Sequence, residues 1–382
     1  MTEALGIAAR KLVLDETHHS SGATMVERDG WSVPASYGDE LFEYAAIREH
    51  GVGLIDSSSR GRLVVTGSEA VAFLNGLITN DMKTLAENQW MPAVFPNVQG
   101  RLLASVRVIR GNDLESSKGP QPSFIIDTEA ATHERVLQTI QRFTLAGDFQ
   151  VKDTTAETAV LFVGGERAQQ TIEQMFGTDV STSAGSVTQR TWQGDQVTLL
   201  RNTQLAADGF DLIVNNSIAE KLWQALVAAG ARPVGYNAFE IMRVEAGVPA
   251  YGRDMDDATV VTETNLDDAV SYTKGCYLGQ EIIARIKYRG HVAKKLRGLV
   301  FERPAIVATG TSIKSRDDKE IGVMTSTTYS PVLGRRIGLG YVKYDFIALG
   351  TEVIIGDNRA KVSELPFLNQ PVIDGVEVSD GR

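Results

Sequence analysis

Cysteine is almost absent from this sequence, since Cys276 is the only one among 382 residues. A single thiol cannot form a disulfide within the chain, and the five histidines are too scattered to pair as zinc ligands do. Apolar runs of the roughly 20 residues that span a bilayer are also missing, and charges interrupt the first thirty positions. We therefore expect a soluble, cytoplasmic protein with no metal site of its own and no membrane partner.

An excess of basic side chains is lacking too, because 38 lysines and arginines are outnumbered by 48 acids and the net charge is −10. A general nucleic-acid binder needs a basic surface, so direct nucleic-acid binding is not expected. The chain also has no GxxxxGK[ST] phosphate loop, no GxGxxG motif that opens a helix after a strand, and no HxE…CxxC deaminase pattern. Nucleotide and zinc chemistry are therefore unsupported.

The charges that are present are spread unevenly. Residues 251–270 contain six acids and one base, whereas residues 274–297 contain seven bases and one acid. Charge runs of this kind usually form solvated surfaces. Here the single cysteine lies at the junction of the two runs, and this position favours a functional interpretation.

Composition and periodicity predict an α+β protein of two or three domains. Residues 1–29 are expected to form a mobile arm or a loosely docked helix, with order beginning near Trp31. Two groups of elements follow, each with the strand and helix order of a ferredoxin-like unit. The predicted helices are 39–50, 69–75 (capped by Ser68), 129–143, 166–176 and 218–229, and the predicted strands are 62–66, 102–109, 123–127, 159–163, 187–192, 196–201 and 210–214. From Lys294 onward, short alternating strands separated by glycines predict a small antiparallel barrel or sandwich.

The segment around the cysteine reads Thr273-Lys274-Gly275-Cys276-Tyr277-Leu278-Gly279-Gln280-Glu281 and leads into a helix that is expected to begin near Gly279. Cys276 then lies just outside a helix N-terminus, where the backbone N–H groups and the helix dipole favour an anion, and Lys274 adds a positive charge. Both effects favour the reactive thiolate. Lone cysteines are more often buried core residues, but the flanking glycines and polar neighbours favour a functional thiol. Cys276 and Lys274 are therefore candidate catalytic residues.

Other roles for this thiol lack the partners that they need. A cysteine–histidine hydrolase requires a base and an orienting group, and only His291 is near in sequence. An iron–sulphur cluster normally takes four thiolates, so this chain alone cannot hold one, although a cluster bridged between chains stays open.

The same segment resembles the KGCYxGQE signature of the YgfZ family, the cysteine-bearing relatives of the glycine-cleavage T-protein, an aminomethyltransferase (GcvT). Other stretches look like successive T-protein motifs, so that the resemblance covers about residues 30–367. These stretches are Gly30–Pro34 with Tyr37, Ile55–Ser58, Leu77–Asp81, Met242–Gly247 with Tyr251 and Gly252, Met324–Ser326 with Ser330 and Pro331, and Pro366 with Phe367.

The resemblance implies a three-domain cloverleaf, in which two ferredoxin-like α+β domains and a C-terminal antiparallel β-barrel surround a central folate pocket. The implied limits are 1–29 for the N-terminal arm, 30–150 for the first domain (completed by 231–290), 151–230 for the second and 294–382 for the barrel. The implied cofactor is tetrahydrofolate, with a polyglutamylated form as one option.

The resemblance also carries site residues over by position. Asp211 stands where the T-protein has a glutamate that binds the pterin, and Arg243 and Tyr251 match two further residues of that pocket. For Arg243 the structural alternative is an ion pair with Glu245 or with the acidic run. The other residues expected at the cofactor are Gly279, Gln280 and Glu281.

Two departures from the T-protein pattern bear on the reaction. T-proteins place an aspartate pair after a Gly-x-[IL]-x stretch, whereas Gly100–Leu103 is followed here by Ala104 and Ser105. Serine cannot act as a general acid or base near neutral pH. Gln204 replaces an expected tyrosine. Aminomethyl transfer is therefore disfavoured, while folate binding is weakened but retained.

Three hypotheses for the function follow. The leading one is a tetrahydrofolate-binding YgfZ-like protein that supports iron–sulphur cluster assembly or repair through Cys276, with client enzymes or assembly factors as partners and an iron–sulphur-dependent tRNA methylthiolation as its readout. The basic run would then meet a polyglutamate tail or an acidic client. The alternative is a folate-dependent aminomethyltransferase or demethylase of the T-protein type, which needs a carboxylate near Ala104 and Ser105. The third is an interaction module that folate only stabilises.

Overall fold

The computed structural model describes residues 8–113, 119–143, 147–205, 207–304 and 306–369. The first seven residues of the predicted arm and residues 370–382 of the predicted barrel domain lie outside the described residues. In the described chain the strands are β1 (Arg10–Lys11), β2 (Thr24–Arg28), β3 (Trp31–Ser36), β4 (Gly53–Asp56), β5 (Gly61–Thr66), β6 (Gln89–Pro96), β7 (Leu102–Arg110), β8 (Ser123–Thr128), β9 (Gln150–Asp153), β10 (Thr158–Gly164), β11 (Val187–Trp192), β12 (Asp195–Asn202), β13 (Gly209–Asn215), β14 (Arg232–Pro233), β15 (Lys294–Phe301), β16 (Ser312–Lys314), β17 (Glu320–Ser330), β18 (Arg335–Lys343), β19 (Glu352–Ile355) and β20 (Asn358–Ser363). The helices are α1 (Asp15–Ser20), α2 (Glu40–Arg48), α3 (Ala70–Leu77), α4 (His133–Phe143), α5 (Ala168–Phe176), α6 (Asn216–Ala228), α7 (Tyr236–Glu245) and α8 (Gln280–Arg289). None of the described helices is long and apolar enough to cross a bilayer.

The described part of the N-terminal segment is packed into the fold. Strands β1, β3 and β2 form a three-stranded sheet in that order. Leu14 joins the apolar core, and the ring of the fully buried His18 lies 5.0 Å from that of Trp223 on α6. The expectation that order begins near Trp31 is therefore wrong, because the buried side chains of Leu14 and His18 pack against the rest of the protein.

Two larger sheets contain most of the strand residues described before α8. The five-stranded sheet has the order β6-β7-β8-β5-β9, and the six-stranded sheet has the order β11-β12-β13-β10-β4-β14. Residues of α3 and α4 share an apolar core with the first sheet, and residues of α5 and α6 share one with the second. Strand β4 pairs with β10, so a segment from the predicted first domain completes the sheet of the second. The predicted domain limits stay a prediction.

Several helix predictions can be compared with the observed ends. Helix α2 is confirmed, with the Asp39 side chain accepting hydrogen bonds from two N–H groups of its first turn. Ser68 is wrong as the cap of α3, because its hydroxyl donates instead to Asp148 Oδ2 at 2.8 Å. The helix predicted from Glu129 begins only at His133, after a 3₁₀ turn at 130–132, and the backbone of Glu129 is extended. Glu129 therefore continues the direction of β8.

The C-terminal strands close into a barrel in the order β15-β18-β17-β16-β19-β20. Its core is apolar and includes Leu299, Phe301 and Ile313. The α+β class with a C-terminal antiparallel β-barrel is thus confirmed. The sequence pattern missed β16, which has only three residues, too few to show an alternation of apolar and polar positions.

Candidate functional site

A central cavity of about 500 Å³ is lined by residues from β3, β4, β7, β13, α7 and the segment before Phe367. Its wall combines apolar side chains, such as Val33 and Phe239, with several carboxyl groups. The carboxyl groups belong to Asp29, Asp56, Glu129, Asp211 and Asp268. A concave site of this size, in which polar groups stand among apolar side chains, is typical of a small-molecule site.

Asp211 is buried in the wall of this cavity and lies in an ion-pair network that joins the two large sheets. Asp211 on β13 accepts a hydrogen bond from Arg107 on β7 and another from Asn202 Nδ2 at 2.8 Å. Arg107 Nε also donates to Asp127 Oδ2 at 2.5 Å, and Arg60 Nε donates to the other Asp127 oxygen at 2.9 Å. Asp211, which the sequence predicts to bind the pterin, thus already accepts two hydrogen bonds from the protein on Oδ2.

Electrostatics keep this network charged although it is buried. Burial alone would raise the pKa of the Asp127 carboxyl, but the guanidinium groups of Arg107 and Arg60 outweigh burial and hold that pKa below its ordinary value. Buried ion pairs of this kind are costly to break, because the partner that remains is left as an unpaired charge. Arg107 therefore helps to shape the cavity wall.

Arg243 on α7 also lines the cavity, and the protein itself uses all of its donors. The Nη2 atom donates to Glu240 Oε1 at 2.6 Å and to Ser326 Oγ at 2.8 Å, and Nε donates to Glu240 Oε2 at 2.9 Å. The Nη1 atom donates to Asp254 Oδ2 at 2.7 Å and to the carbonyl of Val248. A guanidinium has five N–H donors, and all five are used here. Through them Arg243 ties α7 to Asp254 of the acidic run and to Ser326 of the barrel. Its contact with a cofactor stays a prediction.

Tyr251 lines the cavity beside Glu129. Its hydroxyl accepts a hydrogen bond from Arg135, and its backbone N–H donates to Glu129 Oε2 at 3.0 Å. Burial raises the pKa of the Tyr251 phenol, so the ring carries a neutral hydroxyl at physiological pH. The structure thus brings Asp211, Arg243 and Tyr251, three of the predicted site residues, to one cavity.

The N-terminal segment supports the same wall through His18. His18 Nε2 lies 2.9 Å from Asp56 Oδ2, and its Nδ1 lies 2.8 Å from the hydroxyl of Tyr37. Asp56 also accepts a hydrogen bond from the N–H of Ser58 at 2.9 Å. The Asp56 carboxylate is therefore held in place by buried partners.

The cysteine motif lies apart from the cavity, since none of residues 273–281 lines it. Cys276 is exposed, as a thiol that reacts with solutes must be. Gly279 has a left-handed backbone (φ 75°), and a Cβ atom there would come within 2.3 Å of the Asn97 carbonyl. Helix α8 begins at Gln280, as predicted. Contact of Gly279, Gln280 and Glu281 with a cofactor stays a prediction.

Lys274 holds the motif against the end of α3. Its buried Nζ donates to the carbonyls of Asn75, Ile78 and Asn80 at 2.8, 3.0 and 2.6 Å. Burial lowers the pKa of this ammonium to about 8. All three ammonium protons are thus committed to carbonyls, and activation of the thiol by Lys274 stays a prediction.

Sequence reasoning missed most of the polar cavity wall. Arg107 and Asp127 lie on predicted strands, and Asn202 lies one position beyond the predicted strand 196–201, but no local motif marks any of them. Glu129 was assigned to a helix, and its extended backbone could have been suspected only from its position directly after the strand. Residues that meet through sheet pairing carry no short-range signal in a single sequence.

Two family models match this chain. The GCVT N-terminal domain matches residues 14–274, and the glycine cleavage T-protein C-terminal barrel domain matches residues 294–369. Together the two models span both large sheets and the barrel.

Similar proteins and a solved structure agree with these matches. The chain is 31% identical to an aminomethyltransferase of Rubrobacter xylanophilus over 94% of each chain. It is 30% identical to one of Thermotoga neapolitana, over 87% of this chain and 90% of that protein. The crystal structure of the glycine cleavage system aminomethyltransferase T from Bartonella henselae superposes with a TM-score of 0.85 at 22% identity, covering 94% of this chain and 98% of that one. At this identity the superposition shows the shared fold.

Proposed function

Because the chain belongs to the glycine cleavage T-protein family, we propose that its central cavity binds a tetrahydrofolate. The observation that carries this proposal is the cavity itself, whose volume of about 500 Å³ suits a drug-sized ligand. Acceptor carboxylates in the wall, above all Asp211 and Glu129, match the N–H donors of a reduced pterin. When bound, such a folate supplies nitrogen atoms that can carry a one-carbon unit.

The test is a calorimetric titration of the purified protein with tetrahydrofolate under anaerobic conditions. We expect one binding site in the wild type. Ser105→Phe places a phenyl ring in the cavity and should abolish binding, whereas Ser183→Phe makes the same change at an exposed position and should not. Wild-type protein without affinity for the folate, or Ser105→Phe protein with full affinity, would overturn the proposal.

One use of the bound folate is one-carbon transfer, as in an aminomethyltransferase. The names of the similar proteins favour this activity. The two positions where the T-protein pattern has aspartates are Ala104 and Ser105 here, so neither supplies a carboxylate. Ser105 lines the cavity and Ala104 is buried. Glu129 and Asp268 line the same cavity as Ser105 and are the carboxyl groups that could take over proton transfer. Steady transfer of a one-carbon unit from an aminomethyl donor to tetrahydrofolate by purified protein would support this use.

A second use is the one implied by the KGCYxGQE motif, namely support of iron–sulphur enzymes by a YgfZ-like protein. The specific observation in its favour is the exposed Cys276 next to a helix N-terminus. The test is an iron–sulphur-dependent tRNA methylthiolation in a strain that lacks its own homologue, complemented with wild-type or Cys276→Ser protein. Rescue by the wild type alone supports this use. Equal rescue by both proteins would show that the thiol of Cys276 is not needed for it.

The basic run offers one further test of the ligand. Its residues do not line the cavity, and Lys295 Nζ lies 3.6 Å from Asp267 Oδ2 in the acidic run. Binding of a polyglutamate tail by this run predicts that the affinity gained from extra glutamates falls as salt is added. An affinity gain that does not change with salt would contradict tail binding by these bases.

A further inference from the structure

Glu129 and Ser105 both line the cavity, and the pairing of β7 with β8 brings them close together. In the pairing of β7 with β8, Val106 lies opposite Thr128 and Arg107 lies opposite Asp127. Continuing this antiparallel register by one position places Glu129 opposite Ser105, and the extended backbone of Glu129 (φ −64°, ψ 146°) keeps it in line with the strand. Side chains at opposite positions share one face of a sheet. Both residues line the cavity.

Among the residues that the structure describes, the Glu129 carboxylate has no side-chain partner, whereas the Asp56 and Asp211 carboxylates are hydrogen-bonded to buried side chains. Asp211 is paired with Arg107 and Asn202, and Asp56 is held by His18 and the Ser58 N–H. Within the described residues, the Glu129 carboxylate accepts one hydrogen bond, from the Tyr251 N–H to Oε2, and forms no ion pair. Its Oε1 is therefore available as an acceptor at a surface that faces the cavity.

A partly buried carboxylate oxygen that accepts no hydrogen bond from the protein is unfavourable unless a ligand donates one to it. Burial raises the pKa of the Glu129 carboxyl, although the charges of Arg60 and Arg243 act in the opposite direction. An N–H donor of a ligand in the cavity would both satisfy Oε1 and stabilise the charged form.

Resting on the proposed function, we infer that Glu129, with Ser105 beside it, accepts an N–H hydrogen bond from the reduced pterin of the bound folate. This assigns to Glu129 a binding role at a position that sequence reasoning placed in a helix. It also distinguishes Glu129 from Asp56 and Asp211, whose carboxylates are hydrogen-bonded to buried protein side chains.

The informative variant is Glu129→Gln. The glutamine keeps one carbonyl oxygen for the Tyr251 N–H, so the protein contact survives, but the other atom becomes an N–H₂ group that opposes the donor of the ligand. Glu134→Gln is the matched control, because Glu134 is an exposed glutamate in the first turn of α4 and does not line the cavity. Both variants should unfold at the same temperature as the wild type.

The measurement is the dissociation constant for tetrahydrofolate by calorimetry, in wild-type, Glu129→Gln and Glu134→Gln protein. We expect affinity to fall by about tenfold or more in Glu129→Gln and to stay unchanged in Glu134→Gln. Affinity within about twofold of wild type in Glu129→Gln would overturn the role of Glu129 and leave folate binding itself intact. Absence of binding in the wild type would overturn the proposed function, and the role of Glu129 with it.

Glu129→Asp provides a second test should Glu129→Gln be unstable. Aspartate keeps the charge and both oxygens but withdraws them by one methylene, so a ligand contact predicts a loss of affinity smaller than that of Glu129→Gln. A purely structural role predicts instead that affinity follows the melting temperatures of the two variants, and that result would contradict the inference.

Discussion

The central cavity and the cysteine motif are built in opposite ways. The cavity wall is assembled from strands that lie far apart in the sequence, and buried ion pairs such as those of Arg107 and Asp211 hold it together. The motif is one continuous segment, held by the buried side chains of Lys274 and Tyr277, with its cysteine exposed. The central cavity, where we propose that the folate binds, is thus separate from the exposed thiol.

This difference shows what each region contributes to the protein. Loss of the buried ion pairs of the cavity wall should lower stability, whereas a change at Glu129 should lower the affinity for the ligand and leave stability unchanged. Changes at the thiol should affect neither stability nor ligand binding, because Cys276 is exposed and does not line the cavity. The predictions below test this contrast.

The largest effect is expected for Arg107→Met. The substitution leaves Asp127 and Asp211 buried without their shared cation, which should lower the free energy of unfolding by about 3–5 kcal/mol. The check is urea denaturation followed by circular dichroism. Arg110→Met on the same strand is the control, because its partners Glu87 and Asp113 are partly exposed, and it should cost much less. Equal stabilities of the two variants would show that the wall does not depend on this network.

Lys274→Met should have a smaller effect, confined to the motif. Three buried carbonyls lose their donor, which should lower the free energy of unfolding by about 1–3 kcal/mol. Affinity for tetrahydrofolate should not change, because Lys274 does not line the cavity. Lys83→Met at an exposed position should leave stability unchanged. Loss of folate affinity in Lys274→Met at full folding would contradict the separation of the two regions.

The same lysine predicts a dependence on pH. Burial lowers the pKa of Lys274 to about 8, against about 10.4 in an unfolded chain. Between these values the unfolded chain binds more protons than the folded one, so the stability of wild type relative to Lys274→Met should rise with pH in this window and be flat below it. Urea denaturation at several pH values between 7 and 10 measures the difference. A difference that is flat or falling across this window would show that the ammonium is not buried as described.

The smallest effect is expected for Cys276→Ser, which should leave the melting temperature unchanged. In the wild type, iodoacetamide should modify the folded protein once, at a rate that tetrahydrofolate does not alter, because the thiol is exposed and outside the cavity. Mass spectrometry after timed quenching measures both quantities. Protection of the thiol by the folate would place Cys276 at the ligand after all.

The sequence predicts the fold better than it predicts the site. The barrel and helices α2 and α8 follow from periodicity, caps and glycine stops, which are local properties. The His18–Asp56 contact and the Arg107–Asp211 pair join positions that only sheet pairing and packing bring together. Glu129 shows the same limit in one residue, since a helical pattern begins there in sequence while the backbone still belongs to the strand.

The most direct test of the central claim is a parallel titration of wild-type, Ser105→Phe and Cys276→Ser proteins with tetrahydrofolate. Binding in the central cavity, apart from the thiol, predicts equal affinity in wild type and Cys276→Ser and no binding in Ser105→Phe. Equal affinity in all three proteins, or loss of binding in Cys276→Ser alone, would contradict it.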